Sequence, residues 1–256
     1  ATQFDACLDD DLNTSGALSV LFDLVRELNT AMDAGELGAA DAPAIRATFA
    51  QFERRLIGQR YPCLVADALH VIHSALYPDA YDAPRAPVSP PLLMSVGRLV
   101  EMKGFADLVD ACALLRDRGI DLRCRIVGDG PLKDELTQRI ERHGLAGRVE
   151  IAQPVPQEEI RRLLTQASCF VLPCVTARDG DQDGIPNVLT EALAARVPAI
   201  SCPTSGVPEL IENEKTGLLV PQHDPQALAD AIARLLGDAD LRQRVAEAGR
   251  AKVEDE

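Results

Sequence analysis

Short apolar runs alternate with helical patterns along the chain after residue 90. The runs predict strands that are covered on both faces, at 92–96, 124–127, 149–152, 169–173, 199–202 and 218–220. Apolar residues at helical spacing predict helices at 105–116, 132–143, 158–166, 187–195, 225–236 and 239–251. Strands that alternate with helices favour a sheet covered by helices. The pattern therefore predicts an α/β fold built on a doubly wound parallel sheet.

Residues 1–60 follow a different pattern. Leucines recur at helical spacing over 18–28, behind a polar stretch in which Asn13 or Thr14 can cap the helix, and a second helix is predicted at 42–56. Two such helices bury little apolar surface alone, so this segment needs a partner. Prolines between 77 and 91 predict an extended connection. We expect three parts, namely a helical segment at 1–60, a junction and linker at 61–90, and the α/β domain at 91–256.

Net charge and cysteine usage exclude several classes of partner and site. The formal net charge of −14 argues against a general binder of nucleic acid or of anionic membranes. The 7 cysteines are scattered and include no C-x-x-C pair, so neither a zinc site nor a disulfide framework is predicted. No apolar run approaches membrane-spanning length, and the amino terminus lacks a signal-peptide pattern. We therefore expect a cytoplasmic protein with no nucleic-acid partner.

The stretch RDGDQDGIPNVLTEALAA at 178–195 joins an acidic loop to a predicted helix. Gly184 permits an unusual backbone, and Pro186 suits the first helical turn, where its missing N–H costs nothing. Free N–H groups and the positive dipole end at this helix start suit a phosphate. Asp183 lies just outside the helix start and Glu191 about one turn inside, where both carboxylates can hold hydroxyl groups. The residues expected around the ligand are Gly184, Ile185, Pro186, Asn187, Val188 and Leu189.

Two other interpretations of this stretch stay open. The acidic residues match the opening of a calcium-binding loop, but the twelfth position is Thr190, Glu191 comes one place late and Pro186 lies inside the loop. We therefore expect no metal here. The simplest alternative is a solvated acidic loop in front of an ordinary core helix.

Loops after the predicted strands should meet the helix start, because ligands of doubly wound sheets bind beyond the carboxyl ends of the strands. Arg98 follows the first strand and Lys103 comes shortly after it, so both can reach a diphosphate at the helix start. The alternative is that they are surface cations paired with Glu101 or Asp129.

The residues GDGP at 128–131 follow the second predicted strand. They fall short of a dinucleotide-binding fingerprint, which would need glycine at the position of Lys133. We interpret them as a tight turn that lines a nucleotide pocket. The glycines expected beside the nucleotide are Gly97, Gly128 and Gly130.

The segments SVGRLVEMKGF, RIVGDGPL, DGIPNVLTEALA and SGVPELIENEKTGLLV together resemble the donor-binding, carboxyl-terminal domain of GT-B glycosyltransferases of family 4. The resemblance covers about 65–253. It implies that Glu191 holds the ribose of a nucleotide sugar and that Asp183 contacts the transferred sugar. It further implies that Arg98 and Lys103 neutralise the diphosphate. Many members carry glutamate at the first acidic position, so Asp183 is a shortened version of that residue.

The same resemblance implies a Rossmann-like nucleotide-sugar-binding domain at 91–256 and a retaining transfer that needs neither metal nor cofactor. The donor is a nucleotide-diphosphate sugar, and a lipid-linked or saccharide acceptor in polysaccharide biosynthesis is a family-level expectation. Gly206 and Glu209, with a short helix starting near Pro208, line the same crevice or serve only as loop and cap.

The first segment resembles a different family. FDACLDDDLNTSGALSVLFDLVRELN is similar to the helical-bundle region of cysteinyl-tRNA synthetases, over about 3–58, but the chain carries no HIGH-like or KMSKS-like motif. The amino-terminal acceptor domain of GT-B enzymes is not recognisable before Val65, so we expect a fragment or chimera that is inactive alone. The alternative function is a synthetase-derived helical interaction module fused to a non-catalytic phosphate-binding α/β domain.

Overall fold

The computed structural model describes residues 76–255, so the predicted helical segment at 1–60 lies outside the described residues. Its centre is one sheet of parallel strands in the order β3-β2-β1-β4-β5-β6. The strands are β1 Leu92–Val96, β2 Arg123–Val127, β3 Val149–Ala152, β4 Cys169–Leu172, β5 Ala199–Ser201 and β6 Leu218–Leu219. The predicted doubly wound α/β fold is confirmed, and each strand lies where an apolar run predicts it.

Helices flank the sheet and connect its strands. They are α1 Phe105–Asp117, α2 Lys133–Arg142, α3 Gln157–Gln166, α4 Asn187–Ala194, α5 Val207–Leu210, α6 Pro225–Gly237 and α7 Ala239–Asp255. Short 3-10 turns are formed by Pro78–Tyr81 and Glu101–Lys103. In the described part of the chain, no helix is both long and apolar enough to cross a membrane.

The core lies between the sheet and the helices. Leu93 of β1 and Phe170 of β4 are fully buried, as are Leu108 of α1 and Ile232 of α6. Burying a side chain of this kind stabilises the fold by about 1.5–3 kcal/mol. Because the central strands are covered on both faces, their sequences read as continuous apolar runs rather than as alternating ones.

The strand order determines where a ligand can bind. The chain leaves β1 toward β2 on one side and later returns to place β4 on the other side, so a crevice opens at the carboxyl ends of β1 and β4. Gly104 adopts a left-handed conformation with φ of 64°, and a Cβ atom there would overlap the backbone of Pro173. The Val175 N–H also donates to the Met102 carbonyl at 2.9 Å. The loops after β1 and β4 are therefore packed backbone to backbone beside this crevice.

The described part of the predicted linker at 61–90 is packed on the α/β unit. Tyr81 is only 5% exposed. The Arg85 guanidinium donates hydrogen bonds to the carbonyls of Ala167 and Arg196. Proline content predicts extended backbone correctly, but it does not reveal whether side chains in that backbone find long-range partners. Tyr81 and Arg85 are thus packed on the α/β unit, and the domain start expected at residue 91 stays a prediction.

A cavity of about 530 Å³ lies at the opposite edge of the sheet, beyond the amino ends of β1, β4 and β5. Arg85, Arg196 and Arg242 line it. Arg242 donates to carbonyls near the end of α6, Leu235 at 2.7 Å and Leu236 at 3.0 Å. Arginines in such positions stabilise the carbonyl ends of helices. This cavity is therefore accounted for by helix termination, and the candidate site lies at the other edge.

Candidate functional site

The loops after β1 and β2 form one wall of the crevice. A Cβ atom added to Gly128 would overlap the carbonyl of Gly97, and one added to Gly130 would lie 2.7 Å from the backbone nitrogen of Leu99. The Leu99 N–H donates to the Asp129 carbonyl at 2.9 Å. Glycine is needed at these positions because the two backbones touch. The predicted turn at GDGP is thus a wall fixed directly to the loop that carries Arg98.

Lys103 and Asp183 meet across the crevice. The Lys103 Nζ lies 2.7 Å from Asp183 Oδ2, and their side chains are 13% and 20% exposed. Lys103 comes from the 3-10 turn after β1, and Asp183 comes from the loop after β4. The sequence predicts that both residues contact one ligand, and the structure brings the two side chains into direct contact.

The alternative partners proposed for Lys103 are engaged elsewhere. Glu101 pairs with Arg178 at 3.2 Å, and Asp129 pairs with Lys133 at 3.6 Å. The interpretation of Lys103 as a surface cation paired with either acid is therefore wrong. Arg98 is exposed and forms no ion pair with another residue of 76–255, so its role in binding a diphosphate stays a prediction.

A cysteine thiol lies beside the Asp183 carboxylate. The Cys174 Sγ lies 3.9 Å from Asp183 Oδ2. Burial, followed by the negative charge of Asp183, raises the pKa of Cys174 to about 12. The thiol is therefore protonated at neutral pH and acts as a weak donor toward the carboxylate.

The amino end of α4 is open toward the crevice. Pro186 is the N-cap, with φ −65° and ψ 118°, and no side chain caps the helix. The Leu189 N–H donates to the Pro186 carbonyl at 2.8 Å, so the predicted availability of this donor is wrong. The first-turn donors that helix geometry leaves without an intrahelical acceptor are those of Asn187 and Val188.

The prediction of an unusual backbone at Gly184 is also wrong. The left-handed glycine of this loop is Gly180, with φ of 85°, and Gly184 is not among the residues with positive φ. A Cβ atom at Gly184 would meet nothing within 4 Å. The chain bends into α4 at Pro186, whose extended conformation makes a left-handed residue unnecessary.

Glu191 is buried in α4 beside two residues that the sequence interpretation missed. Glu191 is only 8% exposed, and the Gln157 Nε2 donates to Glu191 Oε1 at 3.3 Å. The same amide donates to the Tyr81 hydroxyl at 3.3 Å. Burial raises the pKa of Glu191, and hydrogen bonds from Gln157 and Tyr81 act in the opposite direction. Gln157 lies one residue before the helix predicted at 158–166, whereas Tyr81 gave no local signal.

The SGVPEL loop lies next to the start of α4. A Cβ atom at Gly206 would approach Ile185 Cγ1 to 2.7 Å. The predicted short helix near Pro208 forms as α5. The loop therefore supports Ile185, and its predicted role beside the ligand stays open.

The acidic residues of the calcium-like pattern make local contacts. Asp179 Oδ1 accepts the Asp181 N–H at 3.0 Å, and Asp181 Oδ1 accepts the Gln182 N–H at 3.0 Å. The third acid, Asp183, pairs with Lys103. Among residues 76–255, no group of three or more His, Cys, Asp and Glu side chains is placed to hold a metal ion.

The family of the chain follows from a match that covers the whole crevice. Residues 80–252 match the family model of the glycosyl transferases group 1, and the chain belongs to that family. Residues 3–56 match the DALR domain, in agreement with the synthetase-like helical region predicted there. The two resemblances found in the sequence are thereby confirmed.

Curated relatives extend the family match. The chain is 41% identical over 171 residues to the putative colanic acid biosynthesis glycosyltransferase WcaL of Escherichia coli strain K12, with 66% of this chain and 42% of the relative covered. It is 39% identical over 208 residues to the amylovoran biosynthesis glycosyltransferase AmsK of Erwinia amylovora, with coverages of 80% and 50%. The chain therefore spans about half the length of these relatives or somewhat less.

A solved structure shows the same fold. The Alr3699/HepE protein of Anabaena, crystallised with UDP, superimposes with a TM-score of 0.62 at 23% identity. The match covers 74% of this chain and 54% of the other. The likeness establishes a shared fold.

Proposed function

We propose that the α/β unit binds the donor of a retaining sugar transfer of glycosyltransferase family 4, a nucleotide-diphosphate sugar, at the carboxyl ends of β1 and β4. The observation that carries this proposal is the Lys103–Asp183 pair, 2.7 Å apart, in the crevice beside the open end of α4. A cation for phosphate and a carboxylate for sugar hydroxyls are both needed by such a donor. A further solved structure supports the proposal, since the HepE protein was also crystallised with UDP-glucose.

The chemistry assigned to the site is stabilisation of a leaving group. When the bond between the sugar carbon and the β-phosphate oxygen breaks, negative charge grows on the diphosphate. We assign the stabilisation of that charge, without a metal ion, to Lys103, Arg98 and the N–H groups of Asn187 and Val188. The acceptor hydroxyl oxygen then bonds to the same face of the sugar while its proton passes to the departing diphosphate oxygen, and the configuration is retained.

The two carboxylates are assigned to different parts of the donor. Glu191, a turn inside α4, accepts hydrogen bonds from the ribose hydroxyls. Asp183, at the mouth, contacts the transferred sugar once the diphosphate has taken its place beside Lys103. Asp183, Glu191, Arg98 and Lys103 are thus the residues to which we assign the reaction.

We assign donor binding to this α/β unit and not binding of the acceptor. The names of WcaL and AmsK link those proteins to colanic acid and amylovoran biosynthesis, and this favours a saccharide or lipid-linked acceptor. We assign the acceptor site to a second domain of the GT-B type. Free thiols at the described cysteines fit a cytoplasmic location.

Calorimetry tests donor binding directly. UDP, GDP, ADP and TDP are titrated into the full chain in buffer with a chelator, and one of them is expected to bind. Lys103→Ala should weaken that binding, whereas Lys133→Ala should not, because Lys133 is paired with Asp129 at 3.6 Å and both side chains are at least 36% exposed. Absence of binding for the whole panel, or binding only after addition of Mg²⁺, would refute the proposal.

A further inference from the structure

Three polar residues from distant parts of the chain meet at Glu191 of α4. Tyr81 comes from the 3-10 turn before β1, Gln157 is the first residue of α3, and Glu191 lies in α4. The Gln157 amide nitrogen lies 3.3 Å from the Tyr81 hydroxyl and 3.3 Å from Glu191 Oε1. The Tyr81 hydroxyl also lowers the pKa of Glu191 as a neighbouring donor. Gln157 therefore joins the other two residues directly.

Glu191 is unusual because it is buried without a cationic partner in contact. None of the ion pairs among residues 76–255 includes it, and Arg161, whose guanidinium carbon lies 5.7 Å from the centre of the Tyr81 ring, acts on Glu191 only through its charge. A buried carboxylate held only by neutral donors costs stability rather than adding it. Packing therefore does not explain a glutamate at this position, whereas hydrogen bonding to a ligand does.

The two protein donors leave the carboxylate partly unsatisfied. A carboxylate offers about four acceptor positions, and the cluster supplies a donor from Gln157 and another from Tyr81. The remaining capacity matches the neighbouring 2′ and 3′ hydroxyls of a ribose. The donors on the protein side also fix the rotation of the carboxylate, so its remaining acceptor positions have a defined direction.

We propose that Tyr81 and Gln157 are positioning residues that hold the Glu191 carboxylate toward the ribose and thereby make the site prefer ribonucleotides over deoxyribonucleotides. The inference rests on the proposed function, because it requires that the crevice binds a nucleoside diphosphate. Tyr81 reaches the ligand only through Glu191. It is held by burial and by Arg161, whose guanidinium carbon lies 5.7 Å from the centre of its ring.

The test compares ribonucleotides with 2′-deoxyribonucleotides. Dissociation constants of UDP and dUDP, and of GDP and dGDP, are measured by calorimetry for the unchanged chain, Tyr81→Phe, Gln157→Leu and Glu191→Gln. The unchanged chain should prefer the ribonucleotide of the pair it binds by about tenfold, the factor for one hydrogen bond to a charged group. Glu191→Gln should remove most of this preference. Tyr81→Phe and Gln157→Leu should each reduce it about threefold while leaving deoxynucleotide affinity within about twofold.

Tyr81→Phe is the critical variant, because it keeps the ring under Arg161 and removes only the hydroxyl. Gln138→Leu, on the exposed face of α2, is the matched control for Gln157→Leu and should change neither affinity. Thermal unfolding of each variant shows whether it is folded. Loss of one donor should also move the acid limb of ribonucleotide binding to higher pH, since both donors stabilise charged Glu191. A purely structural role would leave that limb in place.

The outcomes separate this inference from the proposed function. If Glu191→Gln removes the preference but Tyr81→Phe and Gln157→Leu leave it intact, the positioning role is refuted while donor binding stands. If the two variants weaken both nucleotides equally, their role is structural and the inference is again refuted. If Glu191→Gln leaves the preference unchanged, Glu191 does not hold the ribose. If none of UDP, GDP, ADP and TDP binds the unchanged chain, the proposed function itself fails.

Discussion

Removing the charge of Asp183 should have opposite effects on the two parts of a donor. The Lys103 Nζ lies 2.7 Å from Asp183 Oδ2, so the two side chains are paired. A diphosphate must displace that carboxylate to reach Lys103, and it must do so against repulsion between like charges. Asp183→Asn therefore frees Lys103 in advance, so nucleoside diphosphate affinity should be preserved or increased. The affinity added by the sugar should fall, because the asparagine is a poorer acceptor for its hydroxyls.

The burial of the pair gives the magnitude. Exposed ion pairs contribute about 0.2–1 kcal/mol, and breaking fully buried ones costs about 3–5 kcal/mol. With side chains 13% and 20% exposed, the Lys103–Asp183 pair lies between these limits and is screened by the open crevice. We expect nucleoside diphosphate affinity to rise by about 1 kcal/mol, roughly fivefold. The extra affinity of the nucleotide sugar over the diphosphate should fall by about 1–3 kcal/mol.

The assay is calorimetry with UDP and UDP-glucose, or with the corresponding pair for whichever nucleotide binds. Asp181→Asn is the matched control, because Asp181 lies in the same loop, is exposed and accepts only the Gln182 N–H with its side chain. It should alter neither affinity. Equal losses for both ligands at Asp183→Asn would show that Asp183 does not distinguish sugar from phosphate. A lower affinity for the diphosphate alone would show that the ion pair holds the site in its binding form.

The remaining predictions concern the ribose, the phosphate and the domain boundary. Glu191→Gln should weaken nucleoside diphosphate and nucleotide sugar alike, since both contain the ribose, and unequal losses in calorimetry would contradict this. Burial raises the pKa of Glu191, so this group contributes stability below its ordinary pKa that is lost as pH rises through its folded pKa. Glu191→Gln should therefore raise the thermal unfolding midpoint at pH 7, and this gain should vanish at pH values below the ordinary carboxylate range. Arg98→Ala should weaken diphosphate binding by about 1.5–3 kcal/mol, and an unchanged affinity would remove Arg98 from the site. Trypsin should cut after Arg60 and spare Arg85, whose guanidinium is bound to two carbonyls, and early cleavage after Arg85 in a time course would show that this segment is not packed.

The local sequence was sufficient to predict the strands and helices of the α/β fold. The apolar run at 92–96 has the same bounds as β1, because a strand covered on both faces reads as a nearly continuous apolar run, and its one polar residue, Ser95, is buried and donates to the Val171 carbonyl. The start of α4 follows from Pro186, whose ring fixes one backbone angle and removes one donor. The same stretch gave Asp183 and Glu191 as the candidate carboxylates, since their spacing from the helix start is a property of the sequence alone.

Tertiary structure decided which side chains meet. The sequence separated Lys103 from Asp183 as groups for different parts of a ligand, and only the order β1-β4 brings them within 2.7 Å. Tyr81 lies in a proline-rich stretch that predicts a linker, yet it packs beside Glu191. Periodicity reports which face of a helix or strand is apolar, because that property depends on neighbouring residues. The contact of two loops or of a turn with a distant helix depends on strand order and on long-range packing, which a local pattern does not contain.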